Sequence, residues 1–277
     1  MNRLGIESIS VFGLPPVEFV NLAADLGCAY ISATLTPIDI NPHGYPKWSL
    51  RDDPVLRRAT SAALRDRGIA ISLGEGFTVR AGMDVRQRAA DLDTMCELGV
   101  KRINTVSMDP DLSRSFDQFA ALVELASVRG VETTIEFAPG LGVADLPTAL
   151  SAIRHVGRRN FRLLIDTMHL VRSGSGAADL ARLDPNLIGY VQLCDAPLEP
   201  RIGNYMQESM TERMAPGIGD LPLRDILGVL PRHLVIGIEV PLQAQALAGE
   251  SPRRRLGRCV EAARNLLMKL ESPCLPT

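Results

Sequence analysis

Along the chain, short apolar runs rich in β-branched residues alternate with longer stretches whose apolar positions recur every three to four residues. The short runs predict strands over 5–11, 30–34, 70–73, 102–107, 132–137, 162–165, 188–193 and 234–240. The longer stretches predict helices over 16–26, 54–67, 85–98, 115–129, 146–156, 221–230 and 252–270. Strand-then-helix alternation favours a parallel sheet, and strands that are apolar throughout suit a sheet covered on both faces.

Glycine supports the same frame from the helix side. Leu26-Gly27-Cys28, Arg67-Gly68-Ile69, Leu98-Gly99-Val100 and Arg129-Gly130-Val131 each place Gly just past a helix end, where a left-handed residue turns the chain back toward the sheet. Eight such units in 277 residues predict one α/β domain, a closed (β/α)8 barrel spanning 1–277. An open doubly wound sheet is the rival, and no Gly-x-Gly-x-x-Gly follows the first strand to support it. Two irregular stretches stand out, 37–48 and the longer 195–219 with its three prolines and three glycines. A long loop in a compact domain is usually functional.

Composition narrows the function classes. The chain is 46% hydrophobic and 22% charged with a net charge of −2, so it lacks the basic stripe of a nucleic-acid binder. The run Arg253-Arg254-Arg255 is expected to be a solvated helix start. No apolar run reaches the roughly 18 residues of a membrane span, and no signal h-region follows Met1. Cys28, Cys96, Cys194, Cys259 and Cys274 form no C-x-x-C pair and are odd in number, which reads as reduced, mostly buried thiols and a cytoplasmic protein.

The strand ends carry the candidate chemistry. Thr134-Ile135-Glu136-Phe137, Leu164-Ile165-Asp166-Thr167, Val191-Gln192-Leu193 and Gly237-Ile238-Glu239-Val240 deliver Glu, Asp, Gln and Glu from four consecutive apolar strands. A carboxylate inside such a run is costly to bury without a neutralising partner, and none of these runs contains a basic residue. Three carboxylates and an amide suit a hard divalent ion, Mn²⁺ or Mg²⁺ first, with Co²⁺ and Zn²⁺ left open. The expected metal ligands are therefore Glu136, Asp166, Gln192 and Glu239.

These segments, together with Met168-His169, Cys194-Asp195 and Arg213-Met214-Ala215-Pro216-Gly217-Ile218-Gly219, resemble the xylose isomerase-like TIM barrel superfamily, the sugar phosphate isomerase/epimerase group. The resemblance covers nearly the whole chain and implies one metal held by the strand-end residues. It also implies that Glu136 and Glu239 flank the substrate carbon as acid and base. His169 would polarise a substrate oxygen, and Arg213 would pair with a substrate anion. The sequence departs from the family at Gln192, where many relatives have His, and at Ile218, where many have an acidic residue.

Further substrate contacts are expected from Glu75 at the third strand end, Arg201 in the long loop and His43 in the shorter one, with Trp48 and Phe77 as an apolar wall. His155 and His233 fall on the opposite side of the barrel and are expected on the surface. The resulting expectation is a metal-dependent isomerase or epimerase acting on a sugar or hydroxy-ketone through an enediolate. A dehydratase or other lyase, or a non-catalytic ligand-binding barrel, is the alternative. The related nucleases need several histidines and a basic surface, and this chain has four His and a net charge of −2. The partner is a small molecule, not nucleic acid or membrane, and a homodimer is the default assembly.

Overall fold

The computed structural model describes residues 2–271. Eight parallel strands close into one barrel in sequence order: β1 (Leu4–Ile6), β2 (Tyr30–Ala33), β3 (Ala70–Gly74), β4 (Arg102–Thr105), β5 (Glu132–Ile135), β6 (Phe161–Asp166), β7 (Ile188–Leu193) and β8 (Ile236–Ile238). β1 pairs β8 through Gly5↔Gly237 and Ile6↔Ile238, which completes the ring. The predicted single-domain (β/α)8 TIM barrel is the observed architecture.

Local signals explain the helices. The helix Pro54–Arg67 starts where Asp53 accepts the Val55 and Leu56 N–H groups, and it ends at Gly68 with φ 64°. The helix Leu146–Val156 starts in the same way on Asp145, which accepts from Thr148, and it ends at Gly157. The four glycines expected after helices all have positive φ, from 64° at Gly68 to 84° at Gly99. Phe119, Leu122, Ile153 and Phe161 belong to the core between sheet and helices. Leu73, Leu164 and Tyr190 form a separate buried cluster. They come from β3, β6 and β7, so they meet on the barrel axis.

Several boundaries differ from the sequence pattern. The first strand is shorter than 5–11: after Glu7 the chain enters a 3-10 turn at Ser8–Val11, and Phe12 takes a left-handed φ of 49°. Ser10 explains the change, because its hydroxyl donates to the Ile238 carbonyl and accepts the Val240 N–H, closing the turn over β8. The stretch 85–98 divides into a 3-10 turn and the helix Ala89–Glu97, and the stretch 195–219 contains the helix Tyr205–Thr211. Arg255 is not a solvated helix start. It is 0% exposed, stacks over the Phe12 ring and donates to the Ser10 and Glu250 carbonyls. Arg253 and Arg254 are exposed as expected. Cys28, Cys194 and Cys259 are buried and Cys96 partly so, while Cys274 lies outside the described residues. No helix among the described residues is long and apolar enough to cross a membrane.

The long loop after β7 is anchored at its root. Buried Asp195 accepts the N–H groups of Ala196, Leu221 and Gly217, and its backbone pairs with Met214. The Pro-Gly-Ile-Gly turn wraps this carboxylate so closely that a Cβ on Gly219 would stand 2.4 Å from its oxygen. Asp195→Ala orphans three backbone donors and is expected to cost about 1–3 kcal/mol. Urea unfolding of the two proteins checks this; equal stability would show that the loop holds itself.

Candidate metal and proton-transfer site

The barrel brings Glu136, Asp166, Gln192 and Glu239 to the ends of β5 to β8, at the face where α/β barrels carry their chemistry. Asp166 and Gln192 are register partners on β6 and β7, and the Glu239 N–H bonds Leu193 in β7. Glu136 stands just beyond β5, its N–H on the Thr105 carbonyl. Asp166 also caps the helix Thr167–Arg172 by accepting the His169 N–H at 2.8 Å. That cap brings His169 into the site: donor atoms of Glu136, Asp166 and His169 lie within 4.8 Å of one another.

Arg213 lies among the carboxylates. Its Nη1 donates to Asp166 Oδ2, its Nη2 lies 2.7 Å from Glu239 Oε2, and its Nε donates to the Ser209 carbonyl. Buried Arg213 is therefore tied to two of the expected ligands, and no free fork faces a substrate anion. With Glu136 beside them, one guanidinium among three carboxylates leaves two negative charges uncompensated when all three are ionised.

The protonation states follow from that shortage. Burial would raise Asp166, but adjacent Arg213 outweighs it and holds the carboxyl well below the usual range. Burial, reinforced by the Asp166 charge, pushes Glu136 up to about 8. Burial also pushes Glu239 well above its ordinary value, against the pull of Arg213. Burial lowers His169 to about 4, so it is neutral near pH 7. Its Nδ1 is 2.6 Å from Tyr205 Oη and its Nε2 is 3.5 Å from Glu136 Oε1.

Two residues that sequence reasoning missed complete the site. Asn104 on β4 donates to Glu136 Oε2 at 2.6 Å and is held by Thr134 at 3.0 Å. Glu7, at the end of β1, is fully buried and accepts from Tyr190 Oη at 2.8 Å. Both stand inside apolar runs, Ile103-Asn104-Thr105 and Ile6-Glu7-Ser8-Ile9, the same signal that marks the other four.

The remaining expected substrate contacts separate. Glu75 faces Glu7 and Ser8, and burial together with the Glu7 charge pushes its carboxyl up to about 8. His43 is tied to Arg255 at 3.0 Å and lies tilted against the Tyr45 ring, and the Arg255 contact anchors its loop to the last helix. Arg201 is exposed, and its backbone N–H donates to Glu208. Trp48 donates to the Gly13 carbonyl and packs against the core, so it is no wall over the site. His155 and His233 are exposed, as expected.

A model of the xylose isomerase-like TIM barrel matches residues 20–255. The chain belongs to the xylose isomerase-like TIM barrel family. Among curated proteins it is 27% identical over 172 residues to a 3-dehydroshikimate dehydratase of Pseudomonas aeruginosa. That match covers 60% of this chain but only 26% of the relative, so the chain spans about a quarter of its length. Among solved structures the barrel resembles the IolI protein with a bound zinc atom, at TM-score 0.78 and 18% identity over 99% of this chain and 100% of that one. It also resembles a D-psicose 3-epimerase with D-tagatose from Clostridium cellulolyticum H10, at TM-score 0.70 and 13% identity over 96% and 99%. The proteins it is similar to thus include an epimerase and a dehydratase.

The donor set fits a divalent cation on three counts: the two uncompensated charges, the close Glu136–Asp166–His169 group, and Gln192 Oε1, which is buried with no hydrogen-bond partner. From about pH 7 to 8 an unfolded chain has ionised glutamates and neutral histidines, whereas the folded protein keeps protons on Glu75 and Glu136 up to about 8. The folded state binds more protons, so the stability of metal-free protein falls as pH rises through this window. Saturating Mn²⁺, which replaces protons, is expected to raise Tm more at pH 8 than at pH 7. Thermal unfolding with chelator and with Mn²⁺ checks this; a flat pH profile and no response to Mn²⁺ would contradict it.

Proposed function

We propose that this family member is a divalent-metal-dependent isomerase or epimerase of a sugar or related hydroxy-ketone, working through proton abstraction and an enediolate. The feature that carries the reading is the pair Glu136 and Glu239, one largely enclosed and one buried at the strand ends, where burial raises both carboxyls above their ordinary range beside Asp166, which Arg213 keeps ionised. Groups with pKa values near the working pH are the effective general acids and bases.

Glu136, Asp166, Gln192 and Glu239 would hold the cation, with a ring nitrogen of His169 in the same group. When bound, the cation draws charge from adjacent substrate oxygens and acidifies the neighbouring C–H. Glu136, ionised once the cation neutralises the site, takes the carbon proton, and Asn104 holds its carboxylate through Oε2. Glu239 on β8 stands three strands away and supplies the second proton position. Arg213 holds Asp166 and Glu239 in place and lowers the cost of charge at both. Return of the proton to the same carbon inverts it, and return to the neighbouring carbon interconverts aldose and ketose.

A dehydratase is the second reading. The 27% identical 3-dehydroshikimate dehydratase favours it. In that case one glutamate removes the proton and the other protonates the departing hydroxyl.

A panel of ketoses, hydroxy-ketones and 3-dehydroshikimate in deuterated water with Mn²⁺ separates the readings. Deuterium entering carbon without loss of water supports the isomerase or epimerase, and loss of water supports the dehydratase. Glu136→Gln and Glu239→Gln are each expected to lower the rate by about 10²–10⁴-fold with the fold intact. Unchanged exchange in both variants would contradict either reading, and no turnover of any panel member by the Mn²⁺-loaded protein would favour a ligand-binding barrel.

A further inference from the structure

The candidate ligands share one construction: a second residue ties one terminal atom of each. Asn104 holds Glu136 Oε2, and Arg213 holds Asp166 Oδ2 and Glu239 Oε2. Gln192 is held through Nε2, which lies 3.4 Å from Glu7 Oε2. For a carboxylate the tie chooses between equivalent oxygens. For an amide it decides whether the residue can ligate at all, because one end is a carbonyl oxygen and the other an NH₂ group without a lone pair to give.

Glu7 reaches β7 from β1 by crossing β8. Its backbone N–H bonds Ile238, and its carboxylate lies over Gly237, where even a Cβ would stand 1.6 Å from Oε1. Gly237 is the register partner of Gln192, so the missing side chain on β8 opens the passage. Tyr190, two residues before Gln192 on the same strand, donates to the other Glu7 oxygen at 2.8 Å and is itself held by Ser72 at 2.8 Å. Glu75 and Ser32 also hydrogen-bond this carboxylate. With Tyr190 donating to Oε1, Glu7 Oε2 is the acceptor that the Gln192 amide meets with its nitrogen. The Gln192 carbonyl oxygen is then the end turned away, and Oε1 is the buried atom without a partner.

We propose that Glu7 is a positioning residue that locks the Gln192 amide so that Oε1 is presented as an oxygen ligand of the divalent site; this rests on the metal-dependent reading above. A neutral amide replaces the imidazole of many relatives only if its orientation is fixed, and Glu7 with Gly237 supplies that fixation in this chain.

The test is Mn²⁺ titration by calorimetry on chelator-treated wild type, Glu7→Gln, Gln192→Glu and the double exchange Glu7→Gln/Gln192→Glu, with Tm recorded without metal. The amide introduced at position 7 offers an NH₂ that lets Gln192 turn its oxygen inward, so Glu7→Gln is expected to weaken Mn²⁺ binding about 10- to 100-fold. The double exchange restores affinity, because a carboxylate at position 192 has oxygen at both ends and needs no orienting. Loss of one buried contact for purely structural reasons would not be repaired in this way. Tyr190→Phe, which removes only the hydroxyl anchoring Glu7, is the second variant should Glu7→Gln fail to fold. It is expected to weaken binding beside Gln192 and to have no effect in the Gln192→Glu background. Wild-type affinity in Glu7→Gln, or weakening that Gln192→Glu does not repair, would overturn the proposal while leaving the metal site standing. Absence of Mn²⁺ binding in wild type would overturn the metal-dependent reading and the proposal with it.

Discussion

Two buried carboxylates, Asp166 and Glu239, share one guanidinium, Arg213, with the largely enclosed Glu136 beside them, and this shortage of positive charge organises the site. An isolated buried carboxylate is expensive, and a buried pair becomes tolerable only when its remaining lone pairs are satisfied. Asp166 takes most of the benefit of Arg213. Glu136 and Glu239 are left to hold protons or to share a dication. Both outcomes neutralise the same two charges, so under the proposed reading a bound cation and the protons compete for these groups. A site that exchanges protons for a cation is also one whose glutamates can pass protons to a substrate.

The barrel makes this crowding possible. Consecutive strands deliver the groups in register, so Asp166 and Gln192 sit side by side without any loop having to place them. Helix capping then adds His169, and the anchored loop after β7 returns Arg213 to the centre. The inner face is as carefully arranged as the mouth: Ser72, Tyr190, Glu7 and Gln192 form a hydrogen-bonded chain that runs upward from the apolar plug of Leu73 and Leu164.

Most of the fold was legible in the sequence because periodicity and helix-ending glycines report local structure directly. The four strand-end residues were legible for a related reason, since a carboxylate or amide inside an apolar run has few inexpensive explanations. Glu7 was obscured by continuity: Ile6-Glu7-Ser8-Ile9-Ser10-Val11 reads as the middle of one long strand, whereas Ser10 folds its second half into a turn. The role of Arg213 was hidden because pairing across 47 residues leaves no local trace. His43, Arg201 and Trp48 were placed by the side of the barrel they belong to. Side alone does not distinguish a group that faces the axis from one that fastens a loop, and Arg255 and Gly13 take His43 and Trp48 for the latter purpose.

The central claim is that a divalent cation replaces protons held by the buried glutamates. Calorimetric titration of chelator-treated wild type with Mn²⁺ near neutral pH, repeated in buffers of different ionisation enthalpy, tests it most directly by counting protons released per metal bound. The account predicts about one Mn²⁺ per chain with release of at least about one proton, and a smaller release in Glu136→Gln. Binding without proton release, or no binding at all, would contradict it.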